Sequence, residues 1–306
     1  MIKLRSNHSM RNLQTIFILE KSMDSCVDLD LVVEAIMDGN AQSAHDHMLR
    51  LLHTELSQIS SEFLPKSYMR FCGLSNSKGY DEIKTDIQNN RITLSNPFKF
   101  NDPMDPILKV WVNMQKKEQL KKTNKKLFKV AKNALKNLRI CCMADSRTLG
   151  DNAPLMWSHY ADGHKGIAIK YKVTKEALER YNDAEHLLRL CPVRYRDHKE
   201  LNHYITIDNA LLAKGSCWEY ESEHRLLYFS TDDGEFKPND EEEKASPKRK
   251  DFISLDGFEI EEIYLGALID SKKESEIKQI AKSIGVSAFK MRYDDSDITK
   301  LKVDKL

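Results

Sequence analysis

The run Leu226-Leu227-Tyr228-Phe229 constrains this chain more than any other stretch, together with its lead-in Trp218-Glu219-Tyr220-Glu221-Ser222-Glu223-His224-Arg225. The apolar and aromatic tail reads as a buried strand. A strand that begins near Trp218 carries Glu219, Glu221, Glu223 and Arg225 on one face, because strand side chains alternate. Three neighbouring carboxylates repel and raise one another's pKa. Such a cluster is kept by an internal arginine that neutralises it, by a metal, or by a substrate hydroxyl. A half-solvated edge strand, its acids paired with Arg225 and nearby lysines, has the same sequence pattern.

The 306 residues suffice for one large domain or two modest ones, with a soluble balance of 41% hydrophobic and 31% charged residues. The 48 Lys and Arg nearly cancel the 47 Asp and Glu, so no global field recruits a polyanion. No apolar run approaches the roughly 18 residues that cross a bilayer. The N-terminus lacks the basic, apolar, small-residue order of a secretion signal. Among the six cysteines there is no C-x-x-C pair, and adjacent Cys141-Cys142 suit neither a routine disulfide nor a zinc knuckle. Small buried thiols in a reducing cytoplasm are the expectation.

Residues 1–64 show helical rather than strand periodicity and read as a helical N-terminal extension, a possible docking surface for a partner protein. It carries His45, His47 and His53, but His45 and His47 sit two apart on different faces of a helix, which argues against a metal site. Pro65 opens the main domain, 65–306. Tyr68–Cys72 reads as a strand carrying Arg70, 81–88 as a helix and Arg91–Ser95 as a strand stopped by Asn96-Pro97. The turn Phe98–Pro106 carries Asp102 and Asp105 between prolines. Residues 107–139 read as a helical insertion with ten lysines and Arg139 against Glu118 alone, a basic face for nucleic acid or an acidic partner. Leu138–Met143 is a strand candidate. Trp157 and Tyr160, three apart beside His159, share a side of a helical turn and can wall a planar ring. Residues 231–251 read as a charged loop. The end of the chain is strand, helix, strand, with Ser271-Lys272-Lys273-Glu274 as a capping box. The expected class is α+β, a mixed, mainly antiparallel sheet flanked by helices.

Several blocks now stand together: Tyr68-Met69-Arg70, Ser95-Asn96-Pro97 with Phe100–Asp105, Leu155–Ala161 with Gly166, Trp218–Arg225, and Ile263-Tyr264-Leu265-Gly266. In these the chain resembles the bacterial domain-of-unknown-function family numbered 2971 (DUF2971), although Met104 stands where that family usually has Phe. The resemblance implies a setting in anti-phage defence or as a toxin, and no mechanism. By fold-level analogy the order of elements looks like an ADP-ribosyltransferase that uses NAD as substrate, without a clear Ser-Thr-Ser signature. On that analogy Glu223 holds the ribose hydroxyls and stabilises the oxocarbenium-like sugar. Glu221 positions the acceptor or takes its proton, and Arg225 completes the catalytic set. Arg70 grips a phosphate or carboxamide, Trp157 and Tyr160 wall the nicotinamide, and His159 bonds ribose. Asn101 and Asp102 complete the cofactor-binding set, and no metal is expected.

Two other classes fit the same residues. A metal-dependent nuclease would gather Asp102, Asp105, Glu221 and Glu223 around Mg2+ with the basic helix on the phosphate backbone. A non-enzymatic sensor or interaction subunit would pair Glu223 with Arg225 in a filled interior. A cleft containing Glu223, Arg70 and Trp157 is what separates the transferase from both.

Overall fold

A computed structural model describes residues 31–59 except 33, 67–100, 102, 105–106, 129–146 except 131, 153–196, 207–231, 252–297 and 300–306. The expected charged loop, most of the basic insertion, and Asn101 lie outside the described residues.

The architecture is α+β, with a mainly antiparallel sheet. Its strands are β1 (Ser67–Cys72), β2 (Ile92–Ser95), β3 (Leu138–Asp145), β4 (Ile167–Lys172), β5 (His186–Pro192), β8 (Glu223–Ser230), β9 (Phe252–Leu255), β10 (Glu259–Leu265), β11 (Ser287–Tyr293) and β12 (Leu301–Lys305). The short pair β6 (Arg194–Arg196) and β7 (Ala213–Gly215) lies apart, joined in parallel. The helices are α1 (Ala41–Ser57), α2 (Ser77–Gln88), α3 (Ala153–Tyr160), α4 (Lys175–Arg180), α5 (Ile207–Leu212) and α6 (Ser271–Ser283).

From one edge the strands run β12, β11, β10, β4, β1, β3. At β3 the sheet forks. One edge of β3 pairs with β8 along its length, and β8 continues to β5. The other edge is shared by two strands. Ala144 and Asp145 pair with Met69 and Tyr68 of β1, while Ile140 pairs with Ser95 of β2, which leads on to β9.

Side-chain alternation then sorts the core. On one face Cys141, Met143, Leu226 and Tyr228 join residues of α2, α4 and α6 in one apolar cluster. On the other face there are two clusters. Leu138, Ile140, Leu227 and Phe229 pack with α1 and α5, whereas Met69, Ala144, Ala168 and Tyr264 pack under Trp157 of α3. Between these two lie Glu223 and Arg225 of β8, so the apolar lining of this face is interrupted at a buried charge pair.

The structure corrects some local expectations. Arg139 belongs to β3, as the strand candidate Leu138–Met143 has it, and is buried with its guanidinium on the Lys136 and Leu138 carbonyls, not on the solvated basic face of a helix that runs to 139. The cap of α6 is Asp270, which accepts from the amides of Lys272 and Lys273, rather than Ser271. The strand through Trp218 does not form: Ser216–Glu221 is a 3-10 helix, Ser222 is left-handed at φ 45°, and β8 starts only at Glu223.

Candidate active site

Glu223 and Arg225 keep the shared face that alternation assigns them. Arg225 is fully buried and spends its donors inward. Its Nε donates to Glu223 Oε1 (2.8 Å), Nη1 to the Leu211 carbonyl (2.5 Å) and Nη2 to Asp105 Oδ1 (2.5 Å). Glu219 stays exposed on the 3-10 helix, so the expected row of three acids does not exist. Glu221 arrives by another route. The last turn of that helix buries it, and the left-handed Ser222 returns the chain to β8. Two glutamates that a strand would place side by side are brought together by a turn instead.

What joins them is Lys214 of β7, a residue the sequence reading missed. Its ammonium donates to Glu221 Oε2 (2.5 Å) and Glu223 Oε2 (3.0 Å) and lies 3.5 Å from Asp105 Oδ2. Nothing local marks Lys214 in Leu211-Leu212-Ala213-Lys214-Gly215, although a lone lysine in an apolar run is a recognisable oddity. The adjacent strand braces the same point, since the backbone amide of Glu223 donates to Tyr195 Oη of β6 at 2.7 Å. Tyr160 donates its hydroxyl to Glu221 Oε1.

The electrostatics split the two glutamates. Burial pushes the Glu221 carboxyl up, and Lys214 only partly offsets it. Burial acts on Glu223 too, but Arg225 and Lys214 overcome it and hold that carboxyl down at about 2. Lys214 is held protonated by the surrounding carboxylates, against the cost of its burial. Three carboxylates (Asp105, Glu221, Glu223) thus face two cations (Lys214, Arg225). With every group ionised, the cluster is one positive charge short.

The cluster opens into a cavity of about 750 Å³ whose walls include Lys214, Glu221, Glu223, Asp102, Asp105 and Arg70. Tyr160, His159 and Trp218 also line it. His159 sits among rings, its centroid 6.1 Å from Tyr160, 6.0 Å from Trp218 and 6.1 Å from Tyr220, and its Nδ1 shares a 2.9 Å hydrogen bond with Tyr220 Oη. Trp157 is the correction. It is fully buried beside Phe71, with the ring edge-on, and is not part of the wall. Trp218 stands on the wall in its place, and no periodicity argument distinguishes the two.

Arg70 differs from Arg225. Only 17% of its side chain is exposed, and among the described residues its guanidinium has Asp86 at 3.5 Å as its single ionic neighbour and makes no hydrogen bond. A guanidinium carries five N–H donors, so Arg70 presents unspent donors in a cavity wall. The thiols also divide. Cys72, Cys141 and Cys191 are buried as expected, whereas Cys142 is exposed and lines the cavity, and Cys217 is exposed. The surface that Cys142 exposes is cavity wall within the fold, and the desolvation there, together with the neighbouring Glu223 carboxylate, pushes its thiol up.

Residues 156–226 match the family described as a protein of unknown function, DUF2971, a match that supports this family for the chain. The matched segment contains Tyr160, Lys214, Glu221, Glu223 and Arg225. No curated protein and no solved structure matches the chain.

Proposed function

We propose, with DUF2971 as the family setting, that this cavity consumes NAD by transferring or hydrolysing its ADP-ribosyl group. The observation that carries the proposal is the buried cluster of three carboxylates and two cations, open to a ligand-sized cavity. A site one positive charge short favours a species that is, or becomes, cationic. The nicotinamide ring of NAD is cationic, and its departure leaves a cationic ribose.

In this scheme the bond from ribose to the ring nitrogen breaks with its electron pair going to nicotinamide. Glu223, fixed by Arg225 and Lys214 and ionised across the physiological range, faces the developing charge on the sugar. Glu221, the more basic carboxylate, takes the proton from the acceptor hydroxyl or water as its oxygen bonds to the sugar. Arg70 supplies its free donors to a phosphate. His159 and Trp218 border the space for the base. The acceptor is water, a protein, or a nucleic acid held by the basic insertion, and the N-terminal helices remain a candidate partner surface. A defence or toxin setting suits an enzyme that depletes NAD.

The other readings fare less well. In the nuclease scheme a metal ion would link the acids, but the ammonium of Lys214 and the guanidinium of Arg225 stand between Asp105 and Glu223. The sensor scheme finds its Glu223–Arg225 pair, yet beside a cavity rather than in a filled interior.

The test compares wild type with Glu221→Gln for nicotinamide release from NAD. Glu221→Gln leaves two carboxylates facing two cations, so the fold is kept. Turnover falls by about 100-fold or more, the scale of a lost general base. Equal release by the two proteins would overturn the assignment of Glu221. Wild-type protein that releases no nicotinamide under any acceptor condition would remove the NAD chemistry itself.

A further inference from the structure

Between the contacts with β2 at Ile140 and with β1 at Ala144, residues Cys141, Cys142 and Met143 of β3 have no strand partner on that edge among the described residues. All three line the cavity. Successive residues of an antiparallel strand send their N–H and C=O groups to alternate edges. The Asp145 amide donates to the Ser222 carbonyl on the β8 edge, so Cys141, Met143 and Asp145 face β8, while Ile140, Cys142 and Ala144 face the fork. The flanking strands pair with Ile140 and Ala144, and Cys142 keeps its N–H and its C=O outside the ladder, the carbonyl meeting the Cys141 thiol at 3.8 Å. One main-chain donor and one main-chain acceptor of Cys142 thus face the cavity.

Unpaired main-chain groups in the middle of a sheet are costly, and here a ligand can reach them. We infer that this open edge of β3 is a binding site for the amide group of a ligand, a carboxamide in particular. An amide brings one donor and one acceptor, the complement of what the edge offers. A carboxylate or phosphate brings no donor at neutral pH. The three-residue gap is about 10 Å long at roughly 3.4 Å per residue, closed by β1 and β2 at its ends, so it holds one amide group and excludes an added peptide strand. The exposed Cys142 places the cavity directly against the strand. Where the ligand is NAD the amide is that of nicotinamide, and only this identification rests on the proposed function.

The experiment uses the whole wild-type protein, labelled with 15N, and two probes that share a pyridine ring. Nicotinamide carries the amide, while methyl nicotinate keeps the carbonyl and lacks the N–H donors. The expected result is that nicotinamide moves the amide resonances of Cys141–Met143 and slows exchange of the Cys142 amide with solvent, and that methyl nicotinate binds at least tenfold more weakly. Saturating nicotinamide that leaves these resonances in place overturns the inference, and so does equal binding of the two probes. Nicotinamide release from NAD is assayed on the same sample. Perturbed resonances without NAD turnover keep the amide site and remove the proposed reaction. Turnover with unperturbed resonances keeps the reaction and removes the amide site.

Discussion

Glu221 and Glu223 share the ammonium of Lys214, yet protonation affects them in opposite ways. The Glu223 carboxyl is held at about 2, below its ordinary 4.5. Its contribution to stability is therefore present above 4.5 and disappears as pH falls toward 2. The Glu221 carboxyl is raised by burial, so folding loses stability as pH climbs past 4.5 and through the raised value. Two substitutions of the same kind should then differ in sign at pH 7. Glu223→Gln leaves Arg225 and Lys214 short of an acid and costs about 3–5 kcal/mol, the scale for breaking a buried pair. Glu221→Gln is neutral or stabilising. Urea midpoints of both variants check this, and the deficit of Glu223→Gln should shrink between pH 4.5 and pH 2. For the same reason Glu223→Gln tests catalysis poorly. Activity that needs ionised Glu221 rises along an acid limb set above the ordinary glutamate value, which a pH profile of nicotinamide release would show. Lys214→Met leaves three acids facing one guanidinium. It should lower stability by about 3–5 kcal/mol at neutral pH, with partial recovery in acid as the carboxylates protonate, read from urea melts at both pH values.

Two glycines in the blocks of family resemblance have structural explanations at the level of the elements. A Cβ on Gly166, at the entry to β4, would stand 2.1 Å from the Cys72 carbonyl at the end of β1. One on Gly266, just after β10, would stand 2.2 Å from the His164 carbonyl. Both opposing atoms are backbone, so neither swings aside. The turn between α3 and β4 is itself tight, with Asp162, Gly163 and His164 all at positive φ, which is uncommon outside glycine. Gly166→Ala should cost at least about 1–3 kcal/mol, the scale of overpacking, and lower the thermal midpoint without touching any cavity residue. Asp270→Ala, which removes the cap of α6, should cost about 1 kcal/mol in the same measurement. These glycines are visible in the sequence as letters, but the reason for them is a meeting of three separate segments.

At the scale of the molecule, α1 is no loose appendage. Met48, Leu51, Leu52 and Leu56 are buried in the same cluster as Leu138, Ile140 and Leu227 of the sheet. Leu52→Ala should therefore destabilise the whole fold by about 2–5 kcal/mol, seen as a single shifted urea transition. Helical spacing in residues 44–56 predicts the helix but not the surface it covers. Much else was legible in the same way: β1, β2, β4, β10 and the α6–β11 unit each carry their own period and stop signals. β5 escaped because His186–Pro192 lacks a clean two-residue alternation, and β12 because the alternation of Leu301–Lys305 spans only two apolar residues. The site was half legible. Period two placed Glu223 beside Arg225, and a helical turn brought Tyr160 near, since these depend on neighbours within a few residues. Asp105 was gathered with the two glutamates only as a metal ligand, whereas Lys214, Trp218 and the fork in the sheet were not legible, and Trp157 was misplaced from the core to the wall. The sequence by itself determined the α+β class and the composition of each element, because hydrophobic period and local capping act over one or two turns of chain. Only the tertiary structure decided that three acids and two cations meet at one cavity. Their partners lie up to 120 residues apart, as Arg225 and Asp105 do, and their charges depend on burial that exists only once the sheet has closed over them.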